Sequence, residues 1–279
     1  MVQVLEEKES PFQLQTSKTR LKQEENSPNR ILLILDACNW NTWINAAPKN
    51  IPKILGSQAQ KAHSTCCFTL PALFAYLYNN PPIGIGHGLF NKGLWIERGG
   101  EGWHNKRAGH INVNAWMPKW YQDRGYHTSL FTGNAVMAEV ARDLNISKYF
   151  DHWGVMEYLK EDVFKATPRI LEDFASLCLE EGDPLFSVLW LFDTHHPYSD
   201  GKKIFEPKFT NGYERRRCCV KALKYTDEEV FPAIAEALKS TGRLSKVIVF
   251  RITYSLTHGF ISPSIYGMAN RSSLILSLL

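Results

Sequence analysis

Five aliphatic residues in a row, Ile31-Leu32-Leu33-Ile34-Leu35, follow Arg30 and stop at Asp36, with Ala37-Cys38-Asn39 as a polar turn behind them. A short apolar run with no polar alternation predicts a strand buried on both faces, as in a parallel sheet covered by helices. In such sheets, ligands gather outside the carboxyl ends of the strands. Asp36 therefore stands where a metal ion or a phosphate-like group would sit. The alternative role is a helix N-cap, for which Asp is a favoured residue.

Two further segments carry chemistry. His63-Ser64-Thr65-Cys66-Cys67-Phe68-Thr69-Leu70-Pro71-Ala72 puts a hydroxyl beside a proline at an expected helix start. Proline is tolerated there, and the free N–H groups of a helix start attract anions. A nucleophile in that place can meet a phosphate or sulfate ester. The run Phe186-Ser187-Val188-Leu189-Trp190-Leu191-Phe192-Asp193 reads as another buried strand and is followed by Thr194-His195-His196-Pro197-Tyr198. Two adjacent histidines fixed by a proline at a strand's end are hard to explain by packing.

These segments, in this order and spacing, resemble the alkaline phosphatase/sulfatase superfamily. The stretch Tyr121 to Asn134, with its Gly125-Tyr126-His127-Thr128 turn before a short strand, adds a fourth point of likeness. The resemblance covers roughly residues 30 to 250. It implies a mostly parallel central sheet with helices on both faces, and a divalent cation (Ca, Mg, Mn or Zn) held partly by Asp36. It further implies Thr69 as the nucleophile on phosphorus or sulfur, and His195 facing the substrate or protonating the leaving group. The substrate class would be a small-molecule phosphate or sulfate ester. Cys66 and Cys67 lack the following x-Pro-x-Arg of sulfatases that convert a cysteine to formylglycine, so Thr69 is the better candidate.

Two departures from the family pattern bear on activity. Many relatives carry a second acid a few residues after the first; here Asn41 occupies that place, and an amide oxygen can coordinate but brings no charge. The family also completes its metal site with Asp-His-Gly after a late strand. Lys246-Val247-Ile248-Val249-Phe250 supplies that strand, but Arg251-Ile252-Thr253-Tyr254 follows, and no Asp or Glu occurs from Arg251 to Leu279. With Arg251 as CGG, Ile252 as ATC and Thr253 as ACN, a frame two bases along reads Ser-Asp-His. A frameshift near Phe250 would make residues 251–279 an aberrant tail. A divergent C-terminus, with His258-Gly259 as a displaced remnant, is the other reading. The chain is accordingly expected to be either an ester hydrolase, an inactive remnant, or a binding module that uses the same cleft without chemistry.

The remaining features set bounds. The organisation expected is a polar leader over 1–29, the catalytic domain over 30–250 and the tail over 251–279. A length of 279 residues with 44% hydrophobic content suits one large α/β domain. The net charge of +4 is modest and dispersed, and nucleic-acid binding patterns are absent. The cluster Arg215-Arg216-Arg217 reads as a solvated helix face, with anionic-substrate contact as the alternative. The leader has no apolar signal core and no run reaches membrane-spanning length, so a cytoplasmic location is expected. Six cysteines in two vicinal pairs and two singles make neither a disulfide framework nor a zinc site. Loops are expected over 79–88 and 98–104. Helices are expected over 115–123, 135–144, 160–181 and 226–240, alternating with strands as in α/β proteins.

Overall fold

The computed structural model of the chain describes residues 27–56, 59–63, 89–91, 94–99, 102–105, 117–133, 147–155, 166–208, 210–243, 245–252 and 272–277. Thr69, the helix expected over 135–144, the loop over 79–88 and the His258-Gly259 pair lie outside the described residues. Among the described residues the strands are β1 (Asn29–Asp36), β2 (Gln60–His63), β3 (Leu89–Asn91), β4 (Leu94–Gly99) and β5 (Gly102–Asn105), then β6 (His127–Thr132), β7 (His152–Val155), β8 (Leu185–Leu191), β9 (Ser245–Ile252) and β10 (Ser272–Ser277). The helices are α1 (Trp40–Ala46), α2 (Asn50–Leu55), α3 (Met117–Gln122), α4 (Ala166–Glu180), α5 (Gly212–Tyr225) and α6 (Phe231–Ser240).

Seven strands form the main sheet in the order β2-β10-β9-β1-β8-β6-β7, and β3-β4-β5 form a small antiparallel sheet. The five strands from β9 to β7 are all parallel. The apolar run of β1 thus sits inside the sheet between two parallel neighbours, β9 and β8, as its composition demands. Alternate residues supply each face. Ile31, Leu33 and Leu35 join Leu189, Leu191, Val247 and Val249 in one core with Trp43 of α1, Ile51 of α2, Phe174 of α4 and Phe231 and Ile234 of α6. On the other face, Tyr121 of α3 stacks on Phe186, ring centroids 4.2 Å apart. Each fully buried Leu or Ile here contributes about 1.5–3 kcal/mol relative to its exposed state.

Two expectations are revised by the structure. The helix expected over 226–240 begins at Gly212, capped by the Asn211 side chain, and passes through a π-helical turn at Thr226–Val230 into α6. Asp227 therefore lies mid-helix, only 4% exposed. Its carboxylate accepts the backbone N–H groups of Lys49, Asn50 and Ile51, at 2.9, 3.2 and 2.7 Å. It serves the start of α2 rather than its own helix, whose local signals do not reveal that distant use. The glycine-rich stretch 98–104, expected as a loop, instead contains the paired ends of the β4–β5 hairpin, with Gly99 opposite Gly102. Within the stretch expected as a tail, Ser272–Ser277 forms β10, antiparallel to both β9 and β2.

Candidate active site

β1 and β8 run side by side in parallel with Leu35 opposite Leu191, so the turns that follow them emerge together at the carboxyl edge of the sheet. Asp36 ends β1 and is 1% exposed. It is not the N-cap of α1: Asn39 fills that role, its Oδ1 accepting the Thr42 N–H at 2.8 Å. That leaves Asp36 as a buried acid at the ligand edge of the sheet rather than a helix cap. Asn41 stands on the first turn of α1, exposed to solvent. Between them, Ala37 adopts a left-handed conformation with φ 56°, which turns the chain sharply out of the strand.

The loop after β8 brings His195 to the same edge. Its first residues are tied across to β1, because Thr194 Oγ1 donates to the Asp36 carbonyl at 2.5 Å. The loop then folds on itself: His195 N–H to Phe192 O at 2.8 Å, Tyr198 N–H to His195 O at 2.6 Å and Ser199 N–H to Asp193 O at 3.0 Å. The half-buried His195 ring has Nδ1 2.7 Å from the His196 carbonyl. A carbonyl can only accept, so Nδ1 carries the hydrogen, and in the neutral ring Nε2 is then the basic nitrogen. The neighbouring His196 is used differently: its Nε2 lies 3.2 Å from the Pro207 carbonyl.

A second buried acid, Asp193, follows β8 as Asp36 follows β1. It is 2% exposed, and its two oxygens accept hydroxyls from Thr167 of α4 at 2.5 Å and from Ser199 at 2.8 Å. Burial pushes its carboxyl up to about 6, with the two hydroxyls acting in the opposite direction. No role was assigned to Asp193 from sequence, although the signal that picks out Asp36, an acid closing an apolar strand, is the same. Thr167 and Ser199 carry no comparable signal.

Beneath the loop lie Tyr198, Cys218, Cys219 and Ala222, with Phe205 packed against them. Gly201 has φ +74°, and a Cβ there would collide with the Tyr225 hydroxyl, so the loop rests directly on α5. In the arginine cluster, Arg216 and Arg217 are exposed, as a solvated face requires, while Arg215 is half-buried and engages Tyr198.

The structure therefore brings Asp36 and His195 to one edge of the sheet, places Asn41 nearby along the chain, and leaves Thr69 outside the described residues. Among the described residues, no group of three or more His, Cys, Asp or Glu side chains comes together as a metal site. Nor is any described helix long and apolar enough to cross a membrane.

A family model described as Sulfatase matches residues 28–253. Solved structures share the fold. A protein of the alkaline phosphatase superfamily from Vibrio parahaemolyticus aligns at TM-score 0.53 and 14% identity, over 91% of this chain and 60% of that one. The C-terminal periplasmic domain of EptC from Escherichia coli, in complex with Zn, aligns at 0.55 and 14%, over 92% and 75%. A 2-O GAG sulfatase aligns at 0.56 and 12%, over 90% and 64%. The chain thus spans 60% of the length of the first of these. No curated protein sequence matches it.

Proposed function

Because the chain belongs to the Sulfatase family, we propose that it hydrolyses sulfate or phosphate esters of small molecules, with Thr69 as nucleophile and His195 facing the substrate. The observation that carries this reading is the pairing of Asp36 and the His195 loop. Both stand at the carboxyl edge of adjacent parallel strands and are joined by the Thr194 hydrogen bond. The substrate's ester group would lie over that edge.

A divalent cation is part of the reading, with Asp36 and Asn41 as donors and a Lewis-acid contribution when bound. The donor set does not fit such an ion by itself. One buried carboxylate and one exposed amide fall short of the four to eight ligands such cations take. What the chain's own residues would do is simple. Thr69 Oγ forms a bond to sulfur or phosphorus as its proton passes to solvent, the ester oxygen leaves, and water later releases the covalent group. In its doubly protonated form, His195 would hand the Nε2 proton to the leaving oxygen, since Nδ1–H is already committed to the His196 carbonyl.

The test is turnover of 4-nitrophenyl sulfate and 4-nitrophenyl phosphate by the purified chain with Mg, Ca, Mn or Zn added. Activity that disappears in Thr69→Ala is expected. No turnover of either ester with any ion, or full activity in Thr69→Ala, would overturn the reading.

One observation favours a second reading, an inactive remnant whose gene is frameshifted near Phe250. The acid-free stretch begins at Arg251, and the family match stops at residue 253. The nucleotide sequence decides it. A second frame reading Ser-Asp-His and then further family-like sequence supports the remnant; a single clean frame removes it.

A further inference from the structure

We propose that Asp193 is a positioning residue for His195, bracing the loop that carries the histidine against β8 and α4 without itself touching substrate or metal. The proposal rests on the reading of His195 as a substrate-facing group. Its basis is the way both carboxylate oxygens are used. One accepts the Ser199 hydroxyl at 2.8 Å and the other the Thr167 hydroxyl at 2.5 Å. An acid held as a metal ligand presents an oxygen to the ion; here each oxygen already faces a protein hydroxyl.

The two partners lie on either side of the histidine's fixing points. Ser199 closes the loop four residues after His195, and its N–H returns to the Asp193 carbonyl at 3.0 Å. Asp193 therefore clamps Ser199 twice, by main chain and by side chain, and the five residues Thr194 to Tyr198 are held in the ring so formed. Within that ring, Thr194 Oγ1 reaches the Asp36 carbonyl, and its own carbonyl accepts from Cys219 Sγ at 3.4 Å. Thr167, at the start of α4, fixes the clamp to a second element. Among described groups, Asp200 and Tyr225 also act electrostatically on this acid, and both disfavour its charge or are disfavoured by it.

The experiment compares Asp193→Ala, Asp193→Asn, Ser199→Ala and Thr167→Ala, each alone and the first also in a His195→Ala background. With 4-nitrophenyl esters, Asp193→Ala is expected to lower kcat by about 100-fold while KM changes little, because a misplacement of about 1 Å carries a cost of that order. Asp193→Asn, which keeps shape and one acceptor, recovers part of the loss. In the His195→Ala background the same change is expected to have almost no further effect. Equal losses in both backgrounds would overturn the proposal, since Asp193 would then act independently of His195.

A second readout holds even if the wild-type chain shows no turnover, an outcome that would sink the hydrolase reading alone. The imidazole Cε1–H resonance of His195, identified by its absence in His195→Gln, is expected to shift or broaden in Asp193→Ala and Ser199→Ala. The resonances of His127 and His152, on other strands, stay in place. A His195 resonance unmoved in both variants overturns the proposal. Ser199→Ala keeps this test available should Asp193→Ala fail to fold.

Discussion

The two ends of the parallel sheet are held together by different chemistry. At the amino end, Asn29 opens β1 fully buried, and its side chain knits three segments. Oδ1 accepts the Leu185 N–H at 3.0 Å, while Nδ2 donates to Thr241 Oγ1 and Ser245 Oγ at 3.0 and 3.2 Å. Every group in that knot is neutral. At the carboxyl end, by contrast, two carboxylates, Asp36 and Asp193, lie within 2% of complete burial. Neutral polar groups that satisfy one another are inexpensive to bury, whereas an ionised acid is costly unless paired. One end of the sheet is thus held by neutral groups, while the other buries the two acids that lie at the proposed active site.

That contrast can be broken experimentally from both sides. The largest effect is expected from Asp36→Ala. Turnover of aryl esters should fall by about 10³-fold or more, as when a principal electrostatic group is removed from an active site. A collapse of stability with turnover per folded molecule intact would reverse the assignment of the two ends.

Asp193 comes next, through pH. Its carboxyl in the folded chain lies near 6, above the ordinary value of 3.8, so the native state binds the proton more tightly than the unfolded state. Stability should therefore fall as pH rises from about 4 to about 6 and level off above, by about 3 kcal/mol for this group. Urea midpoints at pH 4 and pH 7 measure the difference, and Asp193→Asn should abolish this group's share of it.

Asn29→Ala is expected to destabilise by about 2 kcal/mol, since it strands the buried Leu185 N–H, with kcat of the folded fraction unchanged. The smallest effect should come from Asp227→Asn. An amide oxygen still accepts part of the α2 start, so a loss of about 1 kcal/mol in chemical denaturation is expected. If this substitution proves costlier than Asn29→Ala, the charge on Asp227 is itself needed, and the amino-end rule of neutral knots would not extend to helix capping.

The fold was largely legible because its strongest signals are local. The runs 31–35, 186–192 and 246–250 each contain only as many apolar residues as a strand needs, and each appears as a strand of the parallel sheet. The placement of Asp36 and His195 at the carboxyl edge of the sheet was legible for the same reason, each lying just past such a run. Asp227 shows where the sequence falls silent. An acid near an expected helix start reads as a first-turn residue, yet its three partners lie some 176–178 residues away. The same holds for Asp193 with Thr167, and for Asn29 with Thr241 and Ser245. Long-range polar pairings leave no periodicity along the chain, so only the folded arrangement exposes them.

The placement of β1 also governs the order in which the protein can assemble. β1 precedes both of its sheet neighbours in the chain, β8 by about 156 residues and β9 by about 216. Contacts so distant in sequence are slow to form, because the chain must close large loops before they return any stabilisation. On the ribosome, one edge of this apolar strand stays open until β8 is made and the other until synthesis has passed Ile252. A nascent chain that stalls earlier exposes Ile31 to Leu35 as an unpaired template for aggregation. The acid that closes β1 gains its final surroundings only at the end of that sequence of events, just where the likeness to the family stops.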